Sequence, residues 1–145
     1  REEMQEFILD KLQLLIERKL IKGIGENGTE YTVIAQILDL PKEILRLIQK
    51  FDFTKKNPKL IYINTGETMI SLQDSILVTF LNLAGFDILF FVPTGYQSVE
   101  NYFAEKLMEE HQIGEYKYDM QVPDLNNIST NSTRPSWRRK LFRRG

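Results

Sequence analysis

The chain has 145 residues, with nineteen Lys and Arg against twenty Asp and Glu, a net charge of −1, nine Phe, six Tyr and one Trp. That length suits one domain with a core of its own. Cysteine is absent and His111 is the sole histidine, which excludes disulfides, thiolate metal sites, cysteine nucleophiles and multi-histidine zinc centres.

The charge is unevenly spread. Residues 134–145 hold six basic residues and no acidic one, which leaves thirteen basic against twenty acidic, or −7, over residues 1–133. An acidic body with a basic tail is the electrostatic description. No apolar run reaches the roughly 20 residues needed to span a bilayer, and no signal peptide is visible. The chain opens at Arg1 inside a helical pattern and reads as a piece of a longer protein.

Met4, Phe7, Ile8, Leu12, Leu15 and Ile16 recur at spacings of three and four, the mark of one apolar helix face. Glu2, Glu3 and Glu6 at its start, with Arg18 and Lys19 at its end, match the helix dipole. Gly23, Gly25 and Asn27-Gly28 predict a break, then a short helix over 32–38. Pro41 suits the first turn of another helix, with Asp39 or Leu40 as its cap and Ile44, Leu45, Ile48 and Phe51 as its buried face. Residues 54–59, with three lysines and a proline, read as a solvated connector.

A strand–turn–helix unit is then expected twice in the sequence. Leu60-Ile61-Tyr62-Ile63 runs into Asn64-Thr65-Gly66-Glu67-Thr68 and a helix start at Ser71. Ile88-Leu89-Phe90-Phe91-Val92 runs into Pro93-Thr94-Gly95-Tyr96-Gln97 and a helix start at Ser98. Neither apolar run alternates, so both faces of the sheet are expected to be covered. One crossover helix fits between the strands, capped by Ser71 with Asp74 three residues on and ended by Gly85. Its apolar residues lie on most sides, so it should be buried broadly, with Ser75, Thr79 and Asn82 as a narrow polar stripe. A second helix is expected from Ser98 to Gly114, with Val99, Tyr102, Phe103 and Leu107 inward and His111 near its end. Residues 116–122 are expected to add an edge strand.

The expected architecture is α/β: a small, mainly parallel Rossmann-like sheet flanked by helices, with a helical cap over 1–54, the α/β core over 55–122 and an irregular basic tail over 123–145. If the strands are parallel, both turns lie on the carboxyl edge, where open α/β sheets bind ligands. Thr65, Gly66, Thr68, Ser71, Thr94, Gly95, Tyr96, Gln97 and Ser98 are the candidate ligand-binding residues. Amides at the helix starts would attract phosphate or carboxylate. Neither turn matches a P-loop or a dinucleotide fingerprint, and the competing reading is that glycine permits the turn while serine caps the helix. Glu67 is the candidate general base, sugar-hydroxyl ligand or metal ligand, set against an exposed glutamate with no role. No metal site and no cofactor are assigned. The tail, Ser136 to Arg144, mixes Trp137, Leu141 and Phe142 with arginines; docking on the acidic body is favoured over contact with nucleic acid or membrane through Arg138–Arg144.

Residues 64–75, 85–97, 108–116 and 136–142 together resemble the carboxy-terminal part of the YceG family of Gram-positive bacteria. The resemblance is clearest over 55–145. It implies a cytoplasmic protein of which this chain is about the last quarter, a component of a biosynthetic module encoded in tellurite-resistance and stress-response gene clusters. It also implies TerD-like, TelA-like or TerC-like stress proteins as partners. No catalytic residue is carried over from the family. The expected function is therefore a half-domain binding a nucleotide, nucleotide-sugar or other phosphorylated metabolite. The alternative is a non-catalytic interaction module of a stress-response complex, engaging partners through the apolar helix and the Trp137 tail.

Overall fold

A computed structural model describes residues 2–50, 52, 54–97 and 99–123. Helix α1 spans Glu2–Glu17, with Glu2 and Glu3 in its first turn, and buries Ile8, Leu12 and Leu15. Met4, Phe7 and Ile16 pack against the same core, so the face read from the spacing is the face used. Helix α2 spans Thr29–Leu38 and begins at Gly28 with no side-chain cap. The Glu30 side chain accepts a hydrogen bond from the Gly25 amide at 3.0 Å, which holds its carboxyl below the usual range.

Helix α3, Lys42–Gln49, buries Ile48, with Ile44 and Leu45 partly buried. Its cap differs from expectation. Pro41 itself is the N-cap, without a side-chain hydrogen bond, while Asp39 closes α2. Asp39 is taken up in closing α2, and the first hydrogen bond of α3 runs from the Leu45 amide to the Pro41 carbonyl at 3.0 Å, which makes Pro41 the capping position. Phe51 lies outside the described residues.

Strand β1, Lys59–Ile63, and strand β2, Asp87–Phe91, pair parallel in register from Lys59↔Asp87 to Ile63↔Phe91. Helix α4, Leu72–Leu83, joins them. Ser71 caps it as expected: its hydroxyl accepts from the Asp74 amide at 3.0 Å and donates to the Asp74 carboxylate at 2.9 Å. Gly85, at φ 103°, ends it in a left-handed conformation that a side chain rarely adopts.

The helix lies at the centre of the molecule. It contacts α1, α2 and β2 and buries Ile76, Val78, Phe80 and Leu81. Ser75 and Thr79 of the polar stripe are buried too. Their hydroxyls donate to the carbonyls of Ser71 and Ser75, each at 2.8 Å, which removes the cost of taking them out of water. One apolar cluster runs from Ile8 to Phe103, shared by the helical start and the strands.

Three expectations for the second half are corrected. First, both strands show alternating burial: Leu60, Tyr62, Ile88 and Phe90 face the core, while Ile61, Ile63, Leu89 and Phe91 are about half exposed. Among the described residues, the helical layers cover one face of the sheet and leave the other open. Second, no helix forms over the described residues 99–114. Val99 and Phe103 are buried, but the backbone there is committed elsewhere. The Lys22 amide donates to the Tyr102 carbonyl and the Ala104 amide to the Leu20 carbonyl, both at 2.9 Å, around an antiparallel bridge between Ile21 and Phe103. Those groups are then unavailable for an i to i−4 ladder. Leu107 is exposed, and so is His111, 3.6 Å from Glu109 in an irregular segment and not at a helix end. Third, 116–122 forms no strand; among the described residues the sheet has two strands.

Candidate functional site

The parallel register ends at Ile63↔Phe91, so the two turns leave neighbouring strands at the same edge. The Asn64 amide, one residue beyond, donates to the Phe91 carbonyl at 2.9 Å and carries the alignment into the turns.

Asn64 also builds the first turn. Its Nδ2 donates to the Thr68 carbonyl at 3.0 Å and its Oδ1 accepts from the Gly66 amide at 3.3 Å, a side chain imitating backbone turn hydrogen bonds. This holds Gly66, Glu67 and Thr68 outward, all three exposed, with Thr65 half-buried. Glu67 and Asp74 bring two carboxylates to this side of the edge. The amides of Leu72 and Gln73 precede the first helical hydrogen bond, from the Ser75 amide to the Ser71 carbonyl at 3.0 Å.

The second turn is more closed. Thr94 is buried, and its hydroxyl accepts from the Tyr96 amide at 3.3 Å, so it shapes its own turn. Gly95 has φ 69°, and a Cβ there would run into the ring of Tyr116. The Lys117 amide donates to the Pro93 carbonyl at 2.8 Å. The segment at 116–117 therefore crosses the edge of the sheet, with the Tyr116 ring seated over Gly95. Tyr96 and Gln97 remain exposed; Ser98 lies outside the described residues.

Behind the edge, Tyr62 stacks on Phe90 with ring centroids 4.9 Å apart. Burial, and then the negative charge of Asp74, push the Tyr62 phenol above its usual range, so it stays protonated near neutral pH.

Thr65, Gly66, Thr68, Ser71, Gly95, Tyr96 and Gln97 thus gather along one edge, whereas Thr94 turns inward. Sequence reading passed over Asn64, Tyr116 and Lys117. The Asn-x-Gly spacing was a usable signal for the first. For the other two, twenty residues beyond the turn, no local pattern exists. Among the described residues no three His, Asp or Glu side chains lie close enough together to hold a metal ion, and no helix is long and apolar enough to cross a membrane.

A pair of parallel strands joined by one buried helix, with polar turns at their carboxyl edge, makes this a mixed helix-and-strand protein, with four helices and a small two-stranded sheet among the described residues. Comparison with known proteins gives the family. The YceG domain matches residues 1–133, and the chain belongs to that family. The match takes in the helical start as well as the strands. The chain is 31% identical over 93 residues, 62% of its length, to "Uncharacterized protein YceG" of Bacillus subtilis (strain 168). That stretch is 17% of the relative, so the chain covers about a sixth of it. No solved structure matches.

Proposed function

We propose that this chain is the ligand-facing half-domain of a YceG protein, built on a Rossmann-like plan. In this reading it binds a nucleotide, nucleotide-sugar or other phosphorylated metabolite along the carboxyl edge. Thr65–Thr68 and the first turn of α4 form one wall, and Tyr96, Gln97 and Lys117 form the other. The single observation that carries the reading is the in-register parallel pairing that ends at Ile63↔Phe91 and sends both turns from one edge.

The charges sharpen the ligand class. Glu67 and Asp74 would repel a bare anion, so a phosphate at this edge needs a cation, and Lys117 is tied beside the second turn through its amide. Glu67, without a hydrogen-bond partner among the described residues, is placed for a ribose or sugar hydroxyl. The stress-response setting, a cytoplasmic location and TerD-like, TelA-like or TerC-like partners belong to the same proposal and rest on the family resemblance.

A thermal-shift screen with nucleotides, nucleotide-sugars, phosphosugars and divalent metals tests it. A ligand at a hundred times its Kd should stabilise the fold by about 2.7 kcal/mol. Glu67→Ala and Lys117→Ala, both at exposed positions, should each abolish the shift without lowering the unliganded Tm. Gly95→Val is unsuitable, because it strikes the Tyr116 ring whether or not a ligand binds. Silence across the panel, or a shift that survives both substitutions, overturns the reading.

A further inference from the structure

The open face of the sheet is a single apolar block. Ile61↔Leu89 and Ile63↔Phe91 are register partners, so the four side chains form a contiguous two-by-two patch, with exposures of 54%, 48%, 46% and 48% in that order. Among the described residues of the two strands, the charges on that face are Lys59 and Asp87 at its amino end, which neutralise each other through a 2.7 Å contact. Scattered apolar residues on a surface need no explanation. A parallel pair of strands is different, because such sheets are found with both faces covered.

The size of the patch selects the kind of cover. Four half-exposed side chains offer only a few hundred Å², short of the roughly 800 Å² per partner that a stable protein–protein interface buries. One helix of an α/β layer, pressing a stripe of residues spaced three and four apart onto two strands, needs no more than that. Polypeptide to supply it is at hand: a matched stretch of 93 residues is 17% of the YceG relative, so well over half of a YceG-length protein lies outside a chain of this size.

We infer that the face formed by Ile61, Ile63, Leu89 and Phe91 is covered by an amphipathic helix from the part of a YceG-length polypeptide outside these 145 residues. The ligand edge and this face are separate surfaces, so the inference stands or falls independently of the proposed function.

The test compares the 145-residue chain with the complete YceG-length protein, using Leu89→Asp and hydrogen exchange. In the short chain the substitution should leave Tm nearly unchanged, since the side chain already meets water. In the complete protein it should lower Tm by several degrees, because the carboxylate is forced under a helix. Amides of 59–63 and 87–91 should exchange at least about tenfold more slowly in the complete protein. Equal exchange in the two proteins, with Leu89→Asp tolerated in both, overturns the inference. So does a short chain that is dimeric by light scattering and made monomeric by Leu89→Asp, which would name a second copy as the cover. Exchange at these strands that rises in the short chain when residues 124–145 are deleted would name the tail, and overturns it as well.

Discussion

The two strand–turn units look alike on paper and fold differently. After β1, Ser71 caps a helix that becomes the centre of the molecule, with Phe80 and Leu81 fully buried. After β2, a stretch with comparable helix-forming residues stays irregular, yet still delivers Val99 and Phe103 to the same core. The difference lies in where the backbone hydrogen bonds go. Those of α4 close within the helix, while Tyr102 and Ala104 spend theirs on Leu20 and Lys22, far away in sequence. Helix propensity differs among ordinary residues by only tenths of a kcal/mol, so two long-range hydrogen bonds and a buried phenylalanine suffice to override it.

The comparison can be broken most forcefully at its two phenylalanines. Phe80→Ala in the helix and Phe103→Ala in the irregular segment should each cost about 3–5 kcal/mol in urea unfolding, since each leaves a cavity in the shared core. A cost below about 1 kcal/mol for Phe103→Ala would make the second unit peripheral and the contrast empty.

Next in size is Gly95→Val, expected to cost about 1–3 kcal/mol through positive φ and collision with Tyr116. Adding Tyr116→Ala should recover part of that loss, and purely additive costs would show that the ring does not sit on the glycine.

Ser71→Ala should cost about 1 kcal/mol, the usual worth of an N-cap hydrogen bond. If the loss is no more than that of an exposed serine elsewhere, capping is not what separates the two units.

The smallest effect concerns the amino end of the sheet. The Lys59 ammonium holds the Asp87 carboxyl below its usual range. A depressed folded-state pKa adds stability that is present above the unfolded value, about 3.9, and is lost as pH falls through the folded one. Asp87→Asn should therefore flatten the pH dependence of Tm below about pH 4 and leave it unchanged near neutrality. Added salt should shrink the difference, because the pair is exposed.

Much of this architecture was legible in the residues. The face of α1, the break at 23–28, both strands, the Ser71 cap and the Gly85 stop are local patterns, each carried within a few neighbouring residues. The candidate site was legible in part: the strand ends located it and the turns supplied Thr65, Glu67 and Tyr96. That Thr94 turns inward, and that Tyr116 and Lys117 arrive beside Gly95, depends on a crossing that no local pattern encodes.

What the sequence determined by itself, then, was the set of elements whose hydrogen bonds and apolar periodicity are local: among the described residues, α1 to α4, β1 and β2 were each recognisable from their own residues, whereas the further helix and edge strand expected after β2 did not form. The tertiary structure alone decided that the described stretch after β2 stays irregular, that Ser75 and Thr79 are buried, and that one face of the sheet is left open among the described residues. A continuous apolar run such as Ile88 to Val92 has no preferred side, because every residue in it is fit for burial. Which side is covered depends on where α4 and the amino-terminal helices pack, and that is settled only when the whole chain is in place.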